Sequence, residues 1–211
     1  EIVMFNLVPA WAIHYEEFWL TVRSRNLWFI KLRYTAVVML LFFIIFPKYF
    51  LEINFADEQQ FALLIITFSI LVYNITFHYL RQFVKLDADK FNPLHLSILQ
   101  MIFDLTALML IVYFTGSVES PLLLFFVIHM IVGSLILPGF VIYTFAIVIV
   151  LAFWGITVGE YYSLIPHHHV SGFLSFSLHQ QFNYVLAINV SFAFLVDMIV
   201  LIANRMANQL Y

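Results

Sequence analysis

The sequence predicts an all-α polytopic membrane protein, six transmembrane helices with an interfacial helix before them, and three observations predict it. Hydrophobic residues fill 64% of the 211 positions and the mean hydropathy is +1.00. Charged residues make up only 10%, against roughly 25% in a typical soluble domain. The apolar runs approach about 20 residues, the length at which a helix crosses the hydrocarbon core, and they are apolar on all faces where strands would alternate. The 25 phenylalanines fit a surface turned to lipid. A formal charge of -3 offers no footprint for nucleic acid, and a chain with no cysteine forms no disulfide, thiolate metal site or iron–sulfur cluster.

The elements follow in order. Residues 2–13 are apolar but short and are interrupted by Asn6 and Pro9. With Trp11, Phe18 and Trp19 beside Glu16 and Glu17, they predict an interfacial helix over residues 1–26. A cleaved signal peptide is disfavoured because the basic cluster follows the apolar stretch. Span 1 is Leu27–Phe46, stopped by Pro47 and Lys48, and span 2 is Phe61–Leu80, stopped by the charged stretch Arg81 to Lys90. Spans 3 and 4, Leu94–Thr115 and Pro121–Leu137, flank the short turn Gly116 to Ser120. Pro138-Gly139 separates span 4 from span 5, Phe140–Gly159, and the polar stretch Glu160 to Gln181 precedes span 6, Phe182–Ala203. The transmembrane domain is thus 27–203, and 204–211 begins a cytoplasmic helix.

Basic residues resist translocation, so their distribution predicts direction. Arg23, Arg25, Lys31, Arg33, Arg81, Lys85, Lys90 and Arg205 fall on one side of a six-span arrangement and Lys48 alone on the other. Both termini are expected in the cytoplasm.

An ionisable residue inside a bilayer costs roughly 2.5–3.5 kcal/mol on insertion scales and therefore invites a functional reading. Asp104 lies eleven residues before Thr115, and His129 lies eight after Pro121, in antiparallel spans. Their depths differ by only about 4–5 Å, so a direct Asp104–His129 bond or one shared ligand is expected. The plainer reading is a bond that fixes the packing of spans 3 and 4. His78 and His95 stand near the cytoplasmic face, where a bis-histidine haem competes with histidines simply reaching water. Asp197 lies about two turns from the cytoplasmic end of span 6, placed to meet its own copy or a basic neighbour.

On the other side, His167, His168, His169 and His179 share one loop with Glu160. Four imidazoles and a carboxylate suit Zn(II), Cu(II) or Ni(II), or a pH sensor, but the spacing matches no strict zinc motif and consecutive histidines point in different directions, which favours a solvated loop. In the turn, Gly116 suits a left-handed helix end, Ser120 a cap and Pro121 a first helical turn. Capping does not require Glu119, although a carboxylate is electrostatically comfortable at a helix N-terminus.

The pattern Asp104-Leu105, then Thr115-Gly116-x-x-x-Ser120-Pro121 and an apolar span, resembles the membrane sensor region of six-span bacterial histidine kinases, including the RegB/PrrB type. In those kinases a Gly-Gly-x-x-Asn-Pro-Phe segment at this turn is associated with quinone binding. Here Gly116 and Pro121 match, while Ser117, Ser120 and Leu122 replace the second Gly, the Asn and the Phe. Trp28-Phe-Ile-Lys-Leu-Arg33-Tyr and Glu160-Tyr-Tyr-Ser-Leu-Ile-Pro-His-His-His are also similar to members of this group. The resemblance implies a signal-input module in a bacterial inner membrane, with a cytoplasmic kinase domain in the same polypeptide. It implies a quinone-like ligand near the turn of Gly116 and Pro121, and the candidate ligand-binding residues are Asp104, Gly116, Glu119, Pro121 and His129, with a divalent metal at the loop histidines as the other candidate ligand.

Ile199, Ile202, Met206 and Leu210 advance by three, four and four, the start of a heptad-like stripe that would carry span 6 into a homodimeric coiled coil. Asp197 is then a signal-coupling residue. No phosphoacceptor or nucleotide-binding motif occurs, so no catalytic residue is assigned within these residues. Two other classes compete: a redox or transport protein using the intramembrane His and Asp, and a structural subunit packing on larger partners.

Overall fold

The computed structural model describes residues 16–50, 54–84, 90–172 and 176–209. Residues 1–15, Lys85, Leu210 and Tyr211 lie outside the described residues, and with them most of the expected interfacial helix and the end of the expected heptad stripe. The chain is an all-α polytopic membrane protein. Among the described residues, five helices are long and apolar enough to cross a bilayer and a sixth apolar helix is shorter. They are α1 (Glu16–Phe50), α2 (Asp57–Leu80), α3 (Pro93–Phe114), α4 (Phe125–Ser134), α5 (Gly139–Tyr161) and α6 (Phe182–Gln209).

α1 runs unbroken through 35 residues, so residues 16–26 are its first turns and no boundary falls at residue 26. At about 1.5 Å per residue it is roughly 50 Å long and outreaches the hydrocarbon core. Its early turns bury Trp19 and Val22 in the same apolar cluster as Leu94 of α3. Asn26 fixes that approach, donating to the Pro93 carbonyl at 2.9 Å and accepting from the Ser97 hydroxyl at 2.7 Å. Arg25 donates to the Leu135 carbonyl in the α4–α5 turn.

α3 is the central helix, with half of its span buried, more than any other. Asn92 caps it, accepting from the Leu94 and His95 amides, with Pro93 in the first turn where a missing N–H costs nothing. On one side α1, α2 and α3 enclose Val37, Ile44, Leu63, Ile70 and Ile111. On the other, α3 to α6 enclose Phe126, Met130, Ile142, Phe153, Phe192 and Val196. Phe192 of α6 packs between Phe126 of α4 and Phe153 of α5, at ring distances of 5.5 and 4.9 Å. Outward-facing Phe42, Phe68, Leu151 and Phe194 are all at least 60% exposed, the surface that lipid contact requires.

The α3–α4 turn follows its capping residues. Gly116 adopts φ +103° and ends α3, Ser120 accepts from the Leu122 amide at 3.3 Å, and Pro121 opens a single 3-10 turn, Pro121–Leu124. The apolar stretch Pro121–Ser134 is about 21 Å long as a helix, short of the hydrocarbon thickness and shorter than the expected span to Leu137.

Candidate functional site

Two polar centres stand in this bundle. The first is built on Arg33, midway along α1. Its Nε lies 2.7 and 2.9 Å from the two carboxylate oxygens of Asp104, and its Nη2 donates to Asp104 Oδ2 and Gln100 Oε1, both at 2.8 Å. Nη1 donates to Asn74 Oδ1 at 3.2 Å, and the Tyr73 hydroxyl donates to Asp104 Oδ1 at 2.8 Å. Three helices thereby neutralise and saturate two charges that lipid would not tolerate alone.

This corrects two expectations. Asp104 is bonded to Arg33 and Tyr73 and not to His129, whose Nδ1 instead meets the Phe125 carbonyl of its own helix at 2.8 Å. Arg33, counted with the basic residues that precede or enter span 1 at its cytoplasmic end, is 7% exposed inside the bundle. The signal was present: Arg33 stands well within an apolar run, where a cation needs a buried anion.

Asp104 and His129 do share one chamber of about 420 Å³, walled by α1 and α4 and floored by α3. Its lining is apolar apart from the Arg33 group, Asn26, Thr35, Ser97 and His129. Gln100 also lines it. Because Gln100 Oε1 is held by Arg33, its amide orientation is set, and the buried Nε2 is left without a partner.

The second centre lies where the α3–α4 turn meets the α5–α6 loop. Glu119 Oε1 accepts from the Leu178 amide at 2.6 Å and from the Ser177 hydroxyl at 3.3 Å, while Oε2 lies 3.0 Å from His169 Nδ1. Burial raises its pKa, but the Leu178 amide, His169 and His167 outweigh that and hold it below the usual carboxylate value. Glu160, fully buried at the end of α5, accepts from the Ser117 hydroxyl at 2.9 Å. His167 lies between these acids, Nε2 at 3.6 Å from Glu119 and Nδ1 at 3.3 Å from Glu160, and its ring stacks on His179 at 3.9 Å. Burial and then the neighbouring His167 push His179 below the usual imidazole value.

The four loop histidines therefore divide. His167, His169 and His179 converge on Glu119. His168 turns away, packing on Tyr113 and Phe114, with its carbonyl accepting from Gln59 Nε2 at 3.0 Å. Gly116 and Pro121 shape the turn, and a Cβ on Gly116 would stand 3.3 Å from that of Glu119. The sequence groups Glu160 with the loop histidines, but nothing in it marks this carboxylate as buried. Asp197 is exposed on α6, remote from both centres, and His95 is bonded to Asn92 in the α3 cap at 2.8 Å. No protein-family model, no curated protein and no solved structure matches the chain.

Proposed function

We propose that the chain is the signal-input module of a membrane sensor kinase, set in a bacterial inner membrane with both termini in the cytoplasm. It receives a membrane-borne, quinone-like ligand in the chamber between α1 and α4 and transmits through α6 to a kinase domain in the same polypeptide, as a homodimer. The observation that carries this reading is the unpartnered Gln100 Nε2 beside a chamber whose walls are mostly apolar. A buried donor left unpaired costs about 1–3 kcal/mol, and a ligand carbonyl removes that cost while the ligand's apolar body covers the walls.

The two redox forms of such a ligand bond to different helices. A quinone carbonyl accepts from Gln100 of α3. A hydroquinone hydroxyl donates to Nε2 of His129 on α4, which is left as an acceptor when Nδ1–H donates to the Phe125 carbonyl. That difference biases α4 relative to α3, and the Phe126–Phe192 contact hands it to α6.

The test is a titration of a short-tailed benzoquinone, and separately its reduced form, into the purified chain in nanodiscs, read by thermal shift. Both forms should saturate. Gln100→Leu should weaken the oxidised form roughly three- to tenfold and spare the reduced form, and His129→Leu the reverse. Absence of saturable binding by either form rejects the reading.

A further inference from the structure

We propose that Glu119, His167 and His179 form a site for one divalent first-row transition ion of the zinc class, independent of the chamber ligand. Single ligand atoms from these three residues all lie within 4.8 Å of one another. His167 Nε2 and Glu119 Oε2 are 3.6 Å apart, and both nitrogens of His167 are buried without a hydrogen bond, on a side chain only 6% exposed. Two ligands on a tetrahedral zinc, each about 2.0–2.1 Å from the metal, stand roughly 3.3 Å apart. The spacing is thus too long for a hydrogen bond and close to that of two ligands sharing a metal, and the rings of His167 and His179, stacked at 3.9 Å, must turn apart for one ion to lie in the plane of both.

The surroundings set the tautomers that a metal needs. His179 Nδ1 lies 2.6 Å from the Ser177 hydroxyl, which itself reaches Glu119 Oε1. With Nδ1–H donated to Ser177, the Nε2 lone pair of His179 is free. His167 Nδ1 faces Glu160 Oε1 at 3.3 Å, so a proton held there leaves Nε2 free toward Glu119. Glu160 is then the outer partner of a carboxylate–histidine–metal triad, orienting the ring without touching the ion. Its second oxygen is buried without a hydrogen-bond partner, a desolvation cost that a cation nearby would offset. His169 lies 3.0 Å from Glu119 Oε2 on the more exposed side, and water or this imidazole would complete four-coordination.

Two imidazoles and one carboxylate select zinc, cobalt, nickel or copper over magnesium and calcium, which prefer all-oxygen cages. The ligands come from three places in the chain: Glu119 in the α3–α4 turn, His167 just past α5, and His179 three residues before α6. One ion therefore pins the α3–α4 turn to the start of α6.

The test uses the full chain in detergent, purified on an affinity tag without histidine and stripped of metal. Cobalt(II) should give visible d–d bands typical of four- or five-coordination, saturating at one ion per chain, and zinc should displace it and raise the Tm. His167→Gln and His179→Gln should weaken binding by roughly tenfold or more, while His168→Gln should bind as the parent does. The parent titration decides the matter if a variant fails to fold: no bands and no Tm shift at micromolar metal overturn the site. Equal loss in His168→Gln overturns it too, because that pattern belongs to a loop of surface imidazoles.

Discussion

Arg33 and Asp104 meet side-on across α1 and α3, Nε and Nη2 of the guanidinium each within 2.9 Å of the carboxylate. Breaking such a buried pair from one side leaves an uncompensated charge and costs about 3–5 kcal/mol. Asp104→Asn and Arg33→Met should therefore each lower stability by about that amount in denaturant unfolding of the detergent-solubilised protein. The double variant Arg33→Met/Asp104→Leu should recover a large part of the loss. Equal damage from the double and the sum of the singles would show that the two residues act separately.

The spans were legible because their signal is additive over about 20 residues. The Gly116–Pro121 turn was legible because capping is local chemistry, and each residue took the role that its type predicts. Arg33 was not, because counting basic residues near span ends treats a cation inside the apolar run as one at its edge. Pairing Asp104 with His129 rested on matched depth in adjacent spans. Depth does not fix which face of a helix a side chain occupies, and α1 was closer in space than sequence order suggested. The convergence of Glu119 with His167 and His179 is a long-range event, joining residues up to 60 positions apart, and no local pattern encodes it.

Gly116 should resist substitution for two reasons, its φ of +103° and the 3.3 Å approach of any Cβ to Glu119. Gly116→Ala should cost about 1–2 kcal/mol, and Gly116→Asn less, because Asn tolerates the left-handed region. Thermal unfolding of the two variants checks the order. An alanine variant as stable as the parent would show that the turn relaxes freely.

Orientation is testable in a chain without cysteine. Ser24 and Ser171 are both exposed and lie at opposite ends of the bundle, whereas Ser117 is buried against Glu160 and unsuitable as a probe. With both termini cytoplasmic, an impermeant thiol reagent should label Ser171→Cys in intact cells and Ser24→Cys only after permeabilisation. The reverse pattern would invert the arrangement and place the Glu119 cluster in the cytoplasm.

Asp197 is exposed on α6 within an apolar span, where a carboxylate facing lipid costs roughly 2.5–3.5 kcal/mol unless something covers it. In the proposed homodimer a second copy of α6 would supply that cover, so Asp197→Cys should form an oxidative cross-link between copies in native membranes. Leu195→Cys, also exposed but turned roughly 160° around the helix, should not. In a fusion of the chain to a reporter kinase domain, Asp197→Asn should then shift basal output with or without added quinone, because it alters the packing of the transmitting helix. Gln100→Leu should raise the quinone concentration needed for a response roughly three- to tenfold, because the unpaired amide beside the chamber is lost. Cross-linking that is stronger at Leu195 than at Asp197 would move the contact to the other face of α6 and remove the reason for assigning coupling to this carboxylate.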